Sequence, residues 1–186
     1  MHSVGWLFLA VGVAVLLAMW VTFTVTRLDR LHARVDGAWA ALDAQLVRRA
    51  AALQHVAESP DSGAPDRLRE PCDTAAKQAL SVEDAKRSAS VDVDEYRFRR
   101  QTAENTVGRM IGELADVAVM LHPLAAAELQ EGAARVRVAR RFYNDAVRDT
   151  RALRSRRMPR LLHLAGRRAM PQFFDIDDTG TIPIPT

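Results

Sequence analysis

Twenty-two consecutive residues, Val4 to Val25, carry no charged side chain, and Arg27, Arg30 and Arg34 follow them directly. A helix rises about 1.5 Å per residue, so a run of this length crosses a hydrocarbon layer of roughly 30 Å in one pass. A soluble surface helix as long would carry a polar face. A cleaved signal peptide is the competing reading. Only His2 and the α-amine supply charge ahead of the apolar run, however, and Leu17-Ala18-Met19-Trp20 offers no small-x-small cleavage site. The pattern therefore predicts a single transmembrane anchor over residues 1–26. Arginines flank it on the carboxyl side alone, which predicts an outward amino terminus and a cytoplasmic body. Trp6 and Trp20 stand towards the two ends, at the depth where indoles favour the headgroup layer.

About 160 residues remain after the span, enough for one domain. Glycine and aromatic residues are sparse and alanine is abundant, which favours packed helices over a sheet. Of the 26 basic residues all but Lys77 and Lys86 are arginine. That ratio does not by itself establish phosphate recognition, although arginine binds oxyanions bidentately, so location is the more informative property. Cys72 is the single cysteine, which excludes an internal disulfide and a cysteine zinc cluster.

Leu28, Leu31, Val35, Ala38, Trp39, Leu42, Leu46, Ala50 and Leu53 recur three or four residues apart, with charged residues between them. This predicts an amphipathic helix continuous with the span, since no proline or clear cap separates the two. Trp39 then reads as a core anchor. Two prolines and a glycine between Glu58 and Pro65 end the helix. Over residues 66–89 the pattern weakens to Leu68, Cys72, Ala75, Ala79 and Ala85, and Pro71 restricts where a helix can start. A short helix and a loose excursion both fit. Tyr96, Ala103, Val107, Met110, Leu114, Val117 and Leu121 then share one face of a helix that should run to His122-Pro123. A last long helix is expected from Leu124 to Arg157, with Leu129, Ala133, Val136, Ala139, Tyr143, Ala146 or Val147, and Leu153 inward. Pro159 interrupts it, and Leu161, Leu162 and Leu164 form a short helical piece ending at Gly166.

Each amphipathic helix must hide its apolar face, so the expected fold is all-α: the anchor, then an antiparallel bundle of three or four long helices over residues 27–168, then an irregular tail over 169–186. A parallel coiled coil is the alternative. It would need a sustained heptad, and Arg49 and Arg140 fall where the seam would drift.

Within the last helix, Arg140-Arg141-Phe142-Tyr143-Asn144-Asp145 resembles the signature of the LemA family, membrane-anchored helical proteins whose molecular activity is unassigned. The family signature is an arginine, two residues, Tyr-Asn, and a second Tyr-Asn pair soon after. Arg140, Tyr143 and Asn144 match the first pair, whereas Thr150 and Arg151 stand at the second. Met158-Pro159, the following leucines and Phe173-Phe174 are similar to the family's Phe-Pro, hydrophobic turn and terminal aromatic run. In the first soluble helix, Val35, Ala38, Trp39, Leu42 and Leu46 before Arg48-Arg49 resemble a second family segment. The chain departs from the usual Leu-x-Pro-Asn-Leu after it, with Ala52, Gln54, His55 and Val56. The resemblance implies a divergent member with the architecture above and no particular mechanism. On their own chemistry, Tyr143 and Asn144 suit hydrogen bonds between helices, and Arg140 suits a neighbouring carboxylate such as Asp43 or Asp36.

The usual catalytic and metal patterns are missing. His32, His55, His122 and His163 are scattered, and there is no His-Glu-x-x-His, phosphate loop or Gly-x-Ser-x-Gly elbow. Neither a cofactor nor enzyme activity is expected. One charged feature exceeds background: Arg148, Arg151, Arg154, Arg156, Arg157, Arg160, Arg167 and Arg168, opposed within that stretch only by Asp149. A solvated helix end suited to the carboxyl-terminal dipole and a surface for an acidic partner both fit. Four soluble helices would return this cluster to the bilayer, whereas three would point it away. The sequence thus predicts a membrane-anchored structural or interaction protein docking a protein partner on its basic surface, with binding of anionic headgroups as the alternative. Nucleic acid is the weaker reading, since no recognised reading fold and no interleaved aromatics accompany the arginines. The oligomeric state is not legible.

Overall fold

The structure, a computed structural model, describes residues 2–88, 93–156 and 169–177. It is all-helical, with no strand among the described residues. Helix α1 spans His2–Glu58, α2 Asp66–Ser88, α3 Val93–Ala115 and α4 Pro123–Arg154, so the anchor leads into a bundle of four helical segments. The expected short piece after Pro159 falls outside the described residues.

The span and the first bundle helix are one element. No proline or glycine falls between residues 13 and 36 to break it. The threonines at the end of the apolar run are accommodated within it, because Thr22, Thr24 and Thr26 each donate a hydroxyl to the carbonyl four residues back, at 2.8–2.9 Å. Trp6, Leu7, Phe8, Leu9, Leu16, Met19 and Phe23 all stand more than half exposed around the helix. A core helix of a soluble protein would bury such side chains. This is the helix long and apolar enough to cross a membrane.

The chain divides into two compact units. Unit 1 comprises Met1–Ala38 and Asn144–Gln172. On α1 it buries Leu28, His32 and Val35, and on α4 Ala146, Val147, Thr150 and Leu153. His32 does not join any polar site; its Nδ1 hydrogen-bonds the carbonyl of Leu28 at 2.8 Å.

Unit 2 comprises Trp39–Tyr143 and Phe173–Thr186. Its core draws Leu53 and Val56 from α1, Leu68, Cys72, Ala75, Ala76 and Ala79 from α2, Val107, Ile111 and Leu114 from α3, and Leu129 from α4. The weak stripe over 66–89 is therefore a full helix of 23 residues packed along α3. Small side chains give a faint hydrophobic signal but allow close helix approach. Pro71 lies inside α2 rather than at its start. Near the amino end it forfeits a single intrahelical bond, the one to the carbonyl of Arg67.

Helix α3 stops at Ala115, earlier than the expected His122-Pro123. The chain tightens there: the Val117 amide reaches the carbonyl of Leu114, and Ala118–Met120 form a 3-10 turn. This places Ala118 and Leu121 in the core and lets the His122 amide donate to Ser62 at 2.8 Å. Pro123 then opens α4, where its missing N–H costs nothing. The two turns meet at Gly63, whose φ is +73° and whose Cβ, if present, would lie 2.1 Å from the Met120 carbonyl oxygen. Gly63→Ala should therefore lose more than the roughly 1–2 kcal/mol of a strained left-handed residue, read as a lower midpoint of urea unfolding in detergent by far-UV circular dichroism.

Candidate functional site

Of the residues that carry the family resemblance, Trp39 and Tyr143 meet in the core of unit 2. Trp39, half-buried on α1, sits edge-on to Tyr96, Tyr143 and Phe174, with ring centroids 5.3–6.3 Å apart. Tyr143 is fully buried. The Arg97 guanidinium lies 5.6 Å from the centroid of the Trp39 ring. Arg140 meets the carboxylate of Asp175 at 3.3 Å. In unit 1, Ala38 and Asn144 are half-buried. Pro159 falls outside the described residues.

The arginine pair splits between two environments. Arg48 is exposed, whereas Arg49 is 1% exposed and donates Nη2 to Glu104 Oε2 at 2.6 Å and to the Glu104 carbonyl at 3.1 Å. Arg100, fully buried, donates to the carbonyl of Ala79 at 2.8 Å and lies 3.4 Å from Glu104 and 3.6 Å from Asp43. Two arginines and two carboxylates thus balance in charge between α1 and α3, and α2 contributes a backbone acceptor. The Tyr96 hydroxyl donates to Glu83 at 2.9 Å and stands 3.3 Å from Asp43. Burial, then the Asp43 carboxylate, raises the pKa of that hydroxyl above its ordinary value.

Sequence spacing singles out Arg49, and offers Asp43 as a partner for Arg140, but singles out neither Arg100 nor Glu104. A signal was present. Arg49 interrupts the stripe Leu42, Leu46, Leu53, and Arg100 and Glu104 interrupt the stripe Tyr96, Ala103, Val107, so charges of both signs stood at core positions. Arg49 Nε, Arg100 Nε and Nη2, and Glu104 Oε1 have no hydrogen-bond partner, so the quartet is not fully satisfied. Burying such a cluster costs desolvation that its ion pairs offset only in part, while removing one partner leaves a buried charge unpaired. Glu104→Gln should cost about 3–5 kcal/mol by leaving arginine charge buried and uncompensated, whereas Arg49→Met with Glu104→Leu should cost less than the two single changes added; a double-mutant cycle of urea unfolding reads both.

Cys72 is buried, and burial together with the Glu113 carboxylate pushes its thiol from 9.0 up to about 11. The folded thiol is therefore inert at neutral pH. Unfolded chains ionise first, so this contribution to stability is complete below pH 9 and disappears as the pH rises towards 11. Maleimide labelling at pH 7.5 should accordingly be slow in the folded protein and fast in urea.

The tail of unit 2 is held in place. Phe174 and Ile176 are buried, the Asp177 amide donates to Asn105 at 2.8 Å, and a Cβ on Gly108 would lie 2.7 Å from the Asp177 carbonyl oxygen. A shallow polar cleft follows α3 beside this contact, lined by Thr102, Asn105, Arg109, Glu113, Asp116 and Asp177. Among the described residues, no three histidine, cysteine or acidic side chains are grouped to hold a metal ion.

Four of the eight candidate arginines are described, all in unit 1, and they separate into distinct environments. Arg148 pairs with Asp145 at 2.6 Å. Asp149, the one acid within the cluster, pairs with Arg34 of α1 at 3.0 Å. Arg151 and Arg154 donate to the backbone carbonyls of Pro171 at 3.3 Å and Ala169 at 2.7 Å, which ties the segment after α4 back onto the helix. Arg156 is exposed just beyond the helix end. Arg157, Arg160, Arg167 and Arg168 fall outside the described residues.

The chain matches no protein-family model, no curated protein and no solved structure. What the fold and these sites define is a helical protein with one candidate membrane-spanning helix among the described residues, whose buried charged groups pair with one another.

Proposed function

We propose that the chain is a single-pass, membrane-anchored structural and interaction protein, a divergent relative of the LemA family. Its helical body faces the cytoplasm, and its basic surface at the end of α4 docks an acidic partner. The observation that carries this reading is the continuity of α1 from the apolar run into the segment that packs in unit 1, with no flexible linker between them. The orientation is supported by Arg27, Arg30 and Arg34 on the carboxyl flank alone. The family reading is supported by the way Trp39 and Tyr143, from its two dense blocks, meet in one aromatic cluster. A role without catalysis is supported by the buried quartet, whose four charged residues are each 8% exposed or less and so out of reach of a substrate.

Carbonate washing of membranes that contain the full-length protein should leave it in the pellet, and external protease on intact cells should leave the body undigested. Recovery in the wash would remove the anchor, and digestion of the body would reverse the orientation.

A further inference from the structure

The pair formed by Arg34 and Asp149, 3.0 Å apart, marks one level at which α1 and α4 meet inside unit 1. Along α1 the residues Arg34, Trp39 and Arg49 meet Asp149, Tyr143 and Gly132 of α4 in turn, so the two helices run antiparallel and each step towards the span on α1 is matched by a step towards the carboxyl end on α4. Arg27 lies seven residues on the span side of Arg34, and Arg156 lies seven residues beyond Asp149. At about 1.5 Å per residue Arg27 stands about 10 Å nearer the bilayer than Arg34, and α4 rises about 7–8 Å from Asp149 to its end at Arg154, with Arg156 in the turn that follows. Arg27 is two residues from Val25, where the apolar run ends.

Charge is sorted along the same axis. On the bilayer side of the Arg34 pair stand Arg27, Arg30, Arg151, Arg154 and Arg156, opposed among the described residues by Asp29. Asp36 and Asp145 stand on the far side. Arg27, Arg30 and Arg156 are exposed, and their side chains make no hydrogen bond or ion pair among the described residues, so the fold does not use their charges. Two helices distant in sequence therefore bring arginines to the level of the headgroups, where each basic residue near an acidic leaflet strengthens attachment.

We propose that Arg27 and Arg30 of α1, together with Arg156 after α4, form a single clamp for the phosphate groups of anionic lipids. The proposal rests on the membrane-anchored reading above and names the acidic partner of that basic surface. A flank on α1 alone would be an ordinary topology signal. The contribution from α4 makes it a site built by the fold, because it exists only when the bundle returns the chain to the bilayer.

The test uses the full-length protein in phosphatidylcholine bilayers holding either spin-labelled phosphatidylglycerol or spin-labelled phosphatidylcholine, and reads the fraction of each label immobilised by the protein. The wild type should favour phosphatidylglycerol, and the preference should vanish near 1 M salt, where screening acts over about 3 Å. Arg156→Gln alone should weaken the preference, by up to about five-fold, and Arg27→Gln/Arg30→Gln/Arg156→Gln should abolish it with the far-UV spectrum unchanged. Equal immobilisation of both labels by the wild type overturns the proposal, as does a preference that Arg156→Gln leaves intact. If the labels are immobilised equally and an acidic protein is instead lost from the purified protein on Arg156→Gln, a protein partner replaces the lipid. Release of the wild type by carbonate is a separate failure, that of the anchor itself.

Discussion

Arg49 enters the bundle on the same stripe as Leu42, Leu46 and Leu53, so its charge must be neutralised where water does not reach. That requirement organises unit 2. Glu104 must stand opposite it on α3, Arg100 must share that carboxylate, and α2 must come close enough for the Ala79 carbonyl to accept from Arg100. The alanines of α2 make this approach possible, because a larger side chain at Ala75, Ala76 or Ala79 would hold the helices apart. An apolar core tolerates small shifts in register. A quartet whose charges cancel only in one arrangement does not, and it selects one pairing of α1 with α3 among several that the hydrophobic pattern would permit.

Much of this was legible beforehand where the pattern was strong. Continuity of the span with the first bundle helix followed from the absence of breakers, and the inward positions of the last helix, Leu129, Ala133, Val136, Tyr143 and Leu153, followed from spacing. The failures have physical causes. Helix α2 was obscured because alanine and cysteine build a core with little hydrophobic contrast, and because Pro71 reads as a breaker unless it falls near an amino end. The end of α3 was placed too late because the turn that closes it has no punctuating residue of its own. It depends on Gly63, more than fifty positions away, which admits the Met120 carbonyl.

The candidate surface was legible in composition but not in use. Counting arginines between 148 and 168 treats them as equivalent, whereas their partners divide them. Arg148 is occupied by its neighbour Asp145, Arg151 and Arg154 hold the returning backbone, and Arg156 projects. The pairing of Asp149 with Arg34 was invisible to local inspection, because those residues are 115 positions apart. That pairing shows which residues of α1 and α4 stand level with one another.

Because α1 has no hinge where the apolar run gives way to the bundle, bilayer thickness becomes a mechanical input. Twenty-two residues extend about 33 Å, and a hydrocarbon layer near 27 Å takes them only by leaning the helix. A jointed linker would absorb that lean, whereas an unbroken helix carries it into whatever is packed on its first turns outside the membrane. Arg27 and Arg30, on those first turns, are then carried with it.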